Sequence, residues 1–409
     1  MTSARSLAAP AETGSAPSGD VGEIFRVFLR LGLTSFGGPI AHLGYFRAEF
    51  VERRRWLSEQ SFVDLVTLAQ FLPGPASSQT GFGVGLLRGG LAGGIAAWAG
   101  FTLPSATLML LFAYGAERIA DSPVGAGVLH GLKLVAVAIV AQAVMGMART
   151  LCPDRTRASI ATVALIATLI APWSIAQLAV IVAGGCAGLL MCKASVETVS
   201  DPPLIPVSRR TGLACLAAYL GLLAVAFLPA RPGAAELFDA FYRSGALVFG
   251  GGHVVLPLLR DAVAAPGWVP DSVFLAGYGA AQALPGPLFA FAAFLGAVAS
   301  IPPHGIAGAV LALLAIFIPG MLCLVGTVPF WSALRADPRA RAAVLGTNAA
   351  VVGLLGAALY SPVWTSAVRS PIDFAIAAAG FVLLIAWRAP PLLVVTLSAL
   401  AGGGLTLWA

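Results

Sequence analysis

The chain has 409 residues, 58% of them hydrophobic and only 10% charged, with a formal net charge of +6 and a mean hydropathy of +0.90. Soluble domains carry roughly 25% charged residues, so this mixture lacks the polar surface to cover a core of its size. A soluble globular protein is excluded, and the positive charge, which lies mainly in loops, is better explained by membrane topology than by nucleic acid.

In chain order, residues 1–21 open with MTSARSLAAPAETGSAPSGD. They are small, polar and without an apolar centre, which predicts a disordered tail and no signal peptide. Apolar segments follow near 24–45, 62–88, 91–115, 127–149, 158–171 and 174–192, within a first module at 22–192. Residues 193–236 hold the polar stretch KASVETVSDPPLIPVSRR and one further apolar segment at about 211–229. A second set lies near 238–258, 272–299, 305–330, 342–360, 372–387 and 391–408, within a second module at 237–409. Several runs approach or pass the roughly 20 residues that cross a bilayer. The fold class is therefore all-α and polytopic. Five cysteines, at 152, 186, 192, 215 and 323, show no CxxC spacing and read as small buried hydrophobes.

The two sets are copies of one another. FLRLGLTSFGGP (Phe28 to Pro39) aligns with FYRSGALVFGGG (Phe241 to Gly252), and AQFLPGP (Ala69 to Pro75) with AQALPGP (Ala281 to Pro287). After each pair comes an apolar segment with a late proline, Pro104 or Pro319, and then GLKLVAV (Gly131 to Val137) against GTNAAVV (Gly346 to Val352). Six segments, one extra and six more put an odd number of crossings in each period, which turns the second module upside down. This is the inverted-repeat plan of many secondary transporters. With the N-terminus in the cytoplasm, Arg149, Arg155, Arg157, Lys193, Arg209, Arg210, Arg335, Arg339, Arg341 and Arg388 fall inside, as the positive-inside rule requires, and Ala409 falls outside. One loop disagrees: RAEFVERRRWLSE (Arg47 to Glu59) has four arginines and would lie outside. It returns inside if 24–45 and 62–88 are both re-entrant, so about 13 crossings and a smaller number both stand.

Each module is interrupted at membrane depth by glycine and proline. Unpaired amide groups in lipid cost several kcal/mol each, so such breaks must be buried in protein or line a wet cavity. Glycine leaves its amide hydrogen open to approach, proline stops the helix, and a helix restarting after the break presents amide donors and a positive dipole end. Close packing and kinks are the plainer use of these residues in membrane helices, but four breaks in duplicate favour an anion site. The candidate residues are Arg30, Ser35, Phe36, Gly37, Gly38, Pro39, His42, Gln70, Pro73, Gly74, Pro75, Gln79, Arg88 and Lys133 in the first module. In the second they are Phe249, Gly250, Gly251, His253, Gln282, Pro285, Gly286 and Pro287. Donors dominate, and Asp64 is the single carboxylate near the cluster, so an oxyanion suits the set better than a cation. Gly37, Gly38, Gly74, Gly250, Gly251 and Gly286 are expected at positive φ or against a ligand, whereas Gly93, in a plain apolar segment, is expected to tolerate alanine.

The doubled module, with WLSEQSFVDLVTLAQFLPGP in the first half and FGGGHVVLPLL followed by AQALPGP in the second, resembles the chromate ion transporter family over about residues 22–405. The resemblance implies a long, two-domain bacterial inner-membrane protein with antiparallel halves that exports chromate, a sulfate-like dianion. The second half departs from the pattern, with Gly252 in place of Pro39 and RDAVAAPGW in place of the four-arginine loop, so the first-half residues are the stronger site candidates. A membrane-embedded enzyme is disfavoured: the four histidines, at 42, 130, 253 and 304, form no HExxH, and no acidic cluster lies in the membrane. No catalytic residue, metal or cofactor is expected, and without a nucleotide-binding loop a gradient is the expected energy source. Sulfate or another oxyanion as cargo, an anion channel, and a homodimer all stay open on the sequence.

Overall fold

A computed structural model describes residues 20–120, 122–170, 174–193, 205, 207–229 and 232–408. Nearly all of the expected tail and most of the polar stretch after residue 193 lie outside the described residues. The described chain is helical throughout, with no strand among the described residues. The first half comprises α1 (Val21–Thr34), α2 (Gly38–Arg47), α3 (Glu59–Phe71), α4 (Ala76–Ala120), α5 (Pro123–Leu151), α6 (Arg155–Ile170) and α7 (Ser174–Met191). The unmatched helix α8 (Arg209–Ala226) follows. The second half comprises α9 (Ala234–Ala246), α10 (Val255–Leu259), α11 (Asp271–Ala283), α12 (Phe291–Val298), α13 (Gly305–Thr327), α14 (Trp331–Ala336), α15 (Pro338–Ala358), α16 (Thr365–Ala367), α17 (Pro371–Ile385) and α18 (Pro391–Trp408).

Local chemistry sets the helix ends. Asp20 accepts a hydrogen bond from the Gly22 N–H at 2.9 Å and starts α1, which buries Ile24, Val27, Phe28 and Leu31 on one face. Ser58 accepts from the Ser61 N–H at 3.1 Å to start α3. Continuous hydrogen bonding carries α4 past residue 88, but Gly89 and Gly90 leave helical geometry, so α4 is two helices meeting at the expected boundary between 62–88 and 91–115. The expected segments 62–88 and 272–299 are each cut again, at Leu72–Pro75 and Leu284–Pro287. Helices α1, α3, α9 and α11 have 14, 13, 13 and 13 residues. At 1.5 Å per residue they reach about 20 Å, short of a hydrocarbon core about 30 Å thick. Among the described residues, five helical stretches are long and apolar enough to cross: Ala76–Gly115, Pro123–Leu151, Arg209–Ala226, Gly305–Ala336 and Pro338–Ala367.

The halves interlock through their last hairpins. Helices α6 and α7 pack on α15 of the second half, and α17 and α18 pack on α5 of the first. Small residues let the backbones meet, the usual means of association where lipid removes the hydrophobic drive. A Cβ on Gly131 would collide with the Ser398 carbonyl oxygen, and one on Gly127 with that of Gly402. The equivalent contact places Gly346 against the Gly184 carbonyl and Gly188 against that of Ala342. His130 Nε2 and Asp373 Oδ1, 2.8 Å apart, tie α5 to α17.

This two-fold relation is incomplete. Helix α5 packs on α11, and α15 packs on α10 and the turn Gly252–Val254, all in the second half. The equivalent seats, α15 on α3 and α5 on α2, are not comparably filled. One large core accordingly joins α9–α13 with Leu134, Val137 and Val140 of α5 and Leu354 and Leu355 of α15. A separate core joins α1–α4 with Leu324, Val328 and Trp331. Helix α8 packs chiefly on α9 and α13 of the second half: the Tyr219 hydroxyl donates to the Ala246 carbonyl at 3.0 Å, and Arg243 donates to the Ala226 carbonyl at 2.8 Å.

Overpacking a tight core costs roughly 1–3 kcal/mol, so Gly131→Ala should lower the unfolding temperature in detergent. Gly221→Ala, where an added methyl meets nothing within 4 Å, should be neutral or stabilising by up to about 1 kcal/mol. A Gly131→Ala variant as heat-stable as the parent would refute the close approach of α5 and α18.

Candidate functional site: the paired helix breaks

Four breaks meet inside the protein. Helix α1 ends at Thr34 and α2 restarts at Gly38; α9 ends at Ala246 and a single 3-10 turn begins at Gly252. The two Pro-Gly-Pro stretches separate α3 from α4 and α11 from a 3-10 turn leading into α12. Gly37, Gly38, Gly74, Gly250, Gly251 and Gly286 have φ of 100°, 79°, 124°, 74°, 144° and 94°. The Gly74 N–H donates to the Val248 carbonyl at 2.7 Å, and the Gly286 N–H donates to the Ser35 carbonyl at 2.9 Å. Ser35 and Val248 are equivalent positions, as are Gly74 and Gly286, so each half's Pro-Gly-Pro is bonded to the residue just before the other half's Phe-Gly-Gly.

No side chain fits at these crossings. A Cβ on Gly74 would stand 3.0 Å from Gly320 Cα, and one on Gly286 would stand 2.9 Å from Ser105 Oγ. Ser105 and Gly320 are themselves equivalent, each following its helix's proline. The Gln79 amide donates to the Pro73 and Gly320 carbonyls at 3.0 and 2.9 Å, holding the first Pro-Gly-Pro against α13. A Cβ on Gly252 would stand 3.2 Å from Pro39 Cγ. These two are the same position in the two halves, and equivalent positions touch only on the axis that relates them. One proline fills that axis, which accounts for glycine at 252 where the first half has proline.

The halves differ in what lines the breaks. Along the elements that flank the first half's breaks lie Ser35, His42, Ser77, Ser78, Gln79, Thr80, Thr102 and Ser105, all buried. Their equivalents in the second half are Val248, Val255, Phe289, Ala290, Phe291, Ala292, Phe317 and Gly320, every one without a polar side chain. His42 Nδ1 lies 3.5 Å from Ser77 Oγ, and its ring meets Phe101 edge-on at 5.2 Å between centroids. Ser35 Oγ, His42 Nε2, Ser78 Oγ and Thr102 Oγ1 are buried with no hydrogen-bond partner among the described residues. An unmatched buried polar atom costs about 1–3 kcal/mol, and native proteins keep few of them. Four in the elements that flank the first half's breaks mark a place where donors face a polar guest. Gly37 is exposed, and Phe36, Gly38 and Pro39 are half-buried, so the first break is open to approach.

The other candidates lie elsewhere. Arg30 is exposed and lines a cleft of about 410 Å³ with Asp20, Glu23, Arg26, Val27 and Arg54. Arg88 is half-buried with its guanidinium 5.3 Å from the centre of the Trp56 ring, Gln70 is exposed, and Lys133 is half-buried on α5. In the second half, Pro73 and Pro75 find their counterparts in the buried Pro285 and Pro287. Phe249, Gly250 and Gly251 are half-buried, and the position a Cβ would take on Gly250 is 3.4 Å from Asn348 Oδ1. His253 Nδ1 pairs with the Tyr278 hydroxyl at 2.9 Å, and Gln282 Nε2 is buried without a partner among the described residues. Asp64 is bonded to Arg335 of the second half at 2.7 Å, with 2% and 11% of the two side chains exposed, so the one carboxylate near the cluster is already neutralised. The arginine-rich loop is likewise held by carboxylates: Arg47 to Glu59 at 2.8 Å, Arg53 and Arg54 to Glu49 at 2.9 and 2.6 Å, and Arg54 also to Glu23 of α1 at 2.8 Å. Arg260 and Asp271 repeat the Arg47–Glu59 pair at 2.9 Å, so the shorter second loop keeps that clamp. Thr102, Ser105, Tyr278 and Asn348 were not singled out in the sequence; a position-by-position comparison of the halves reveals the first two, polar where the partner half is apolar.

The family model described as chromate transporter matches residues 22–189 and 235–403, one copy on each half. The chain belongs to the chromate transporter family. It is 30% identical over 374 residues to a chromate transport protein of Pseudomonas aeruginosa, covering 90% of this chain and 87% of that one. A probable chromate transport protein of Synechococcus elongatus is 28% identical, with 84% of each chain covered. A chromate transport protein of Cupriavidus metallidurans is 26% identical, covering 84% of this chain and 83% of the relative. No solved structure matches. The family is one of membrane transporters and not of enzymes, in line with the composition.

At Gly74 and Gly286 a side chain must adopt positive φ, a strain of roughly 1–3 kcal/mol, and must also push the halves apart. Gly74→Ala and Gly286→Ala should each abolish transport and lower the unfolding temperature, the opposite sign to an open helical glycine. The tolerance expected of Gly93 is corrected: its Cβ would collide with the Gly85 carbonyl oxygen and stand 3.1 Å from Ile24 Cδ1. Gly93→Ala should therefore destabilise, and Gly221→Ala is the proper control. Wild-type flux from both Pro-Gly-Pro variants would show that the crossing is dispensable.

Proposed function

We propose that the protein carries a tetrahedral dianion of the chromate and sulfate type outward across the bacterial inner membrane, driven by a gradient. The observation that carries this reading is the set of unmatched buried donors flanking the first half's breaks. Hydroxyls, an imidazole and backbone amides beside a restarting helix suit an oxyanion, and the nearby carboxylate is committed to Arg335. The chromate transport proteins among the relatives favour chromate as cargo; sulfate, with the same charge and shape, is the alternative. Reciprocal contacts between equivalent positions suit two halves inserted in opposite senses, with short helices entering from each face and meeting near the midplane. Export and a cytoplasmic N-terminus follow from the resemblance and the distribution of arginines.

Flux of chromate and of sulfate into proteoliposomes, with and without a pH gradient and a membrane potential, tests cargo and coupling together; no flux of either anion would overturn the reading. Reporter fusions after Arg157, Arg210 and Arg341 should report cytoplasm and a fusion at Ala409 the opposite face. A cytoplasmic Ala409 would remove the inversion.

Removing a donor that has no protein partner should cost the fold nothing and the cargo a great deal. Thr102→Val and Ser35→Ala should leave the unfolding temperature unchanged or raised. A hydrogen bond to a charged group contributes about 1.5–3 kcal/mol, so each should raise the KM for chromate about 10- to 100-fold. Unchanged KM in both would place the anion elsewhere.

A further inference from the structure

The two halves form the same contacts at their crossing but not with the helices around it. Asn348 of α15 sits at the second break, 8% exposed, its Oδ1 3.4 Å from the position a Cβ would take on Gly250 and without a hydrogen-bond partner among the described residues. Met147 and Leu151 of α5 close over the same glycine. At the first break the equivalent glycine, Gly37, is exposed, and the single atom within 4 Å of its Cβ position is Ala41 Cβ, from its own helix.

The partner of Asn348 in the repeat is Lys133. Gly131 and Gly346, two residues earlier in each case, make the same close helix contact, so the register of α5 and α15 is secure. Lys133 is half-buried and near a like charge, Arg369. Two like units joined by an axis can be unequal in two opposite ways. Contacts made by one half in one state are made by the other half in the opposite state, which is how rocking about a fixed site alternates access in repeat-built carriers.

Resting on the transport reading above, we propose that the opposite-facing state exchanges the seats of α5 and α15, bringing Lys133 into the first break beside Gly37 as the cationic ligand of the dianion. Asn348 marks the place in the present state. The elements flanking the first half's breaks supply neutral donors, and Lys133 adds the charge those donors lack. Because Lys133 is present at the break in one state only, the dianion is held more tightly there than in the other.

The test uses the full chain in proteoliposomes, with chromate and sulfate as cargo and the parent protein in parallel. Lys133→Met, which replaces a half-buried charge by an apolar side chain of similar length, should fold at least as stably and lose at least tenfold in chromate flux, while Lys133→Arg keeps part of it. In a transport-active chain freed of its five cysteines, a pair at positions 133 and 41 should be joined by a short bifunctional thiol reagent during turnover. Undiminished flux in Lys133→Met overturns the proposal. So does failure of the pair to cross-link in a chain that retains the residual flux of Lys133→Met. A parent protein that moves neither anion overturns the transport reading instead, before either variant is compared.

Discussion

Two backbone hydrogen bonds, Gly74 to Val248 and Gly286 to Ser35, are the constraint on which the architecture turns. Each helix break frees amide and carbonyl groups that lipid cannot satisfy, and each half uses the other's break to satisfy them. The prolines flanking Gly74 and Gly286 cannot donate, so a glycine amide between them is the single donor of each Pro-Gly-Pro, and it is committed across the axis. Positive φ at that glycine aims the amide, and the absence of a side chain admits Gly320 or Ser105 behind it. A half of this protein would leave its own breaks unpaired in the membrane. Pairing of two such halves is therefore a condition of stability.

Symmetry at the crossing leaves the chemistry free to differ. The first half's breaks are flanked by eight buried polar residues at positions that carry no polar side chain in the second half; Gln79 among them serves the fold, and Ser35, His42, Ser78 and Thr102 each keep an unmatched atom. The second break is packed with phenylalanine and valine and covered by α5, α15 and α8. The polar side chains of the second half are fewer, with His253 paired to Tyr278 and Asn348 beside Gly250.

Charge is placed to build and not to bind over most of the molecule. Asp64 and Arg335 join the halves as a buried pair, Arg243 closes the end of α8, and the arginine-rich loop is held by glutamates. Arg88 rests on Trp56 and Arg30 faces outward. Burying an ion pair is costly unless geometry and further hydrogen bonds compensate, and removing one partner is costlier still, about 3–5 kcal/mol. Such residues are held in place by stability whatever the cargo.

Composition alone settled that the chain is a helical membrane protein, because 10% charged residues cannot clothe a soluble core of this size. The internal offset between like motifs exposed the duplication, and the glycines and prolines located the breaks, since positive φ and a missing amide are properties of single residues. Other features were closed to sequence because they depend on pairs of residues more than 150 positions apart. Periodicity could not show that each Pro-Gly-Pro bonds to the residue just before the opposite Phe-Gly-Gly, that the last hairpins change halves, or that Pro39 and Gly252 share an axis. Gly93 looked like open helix and is pressed against Gly85, and of the arginines near the breaks in sequence, Arg30 is exposed, Arg88 rests on Trp56 and Arg243 bonds to α8. A side chain's direction is set by the partner helix that packs against it, and that partner was chosen only when the two halves closed on one another.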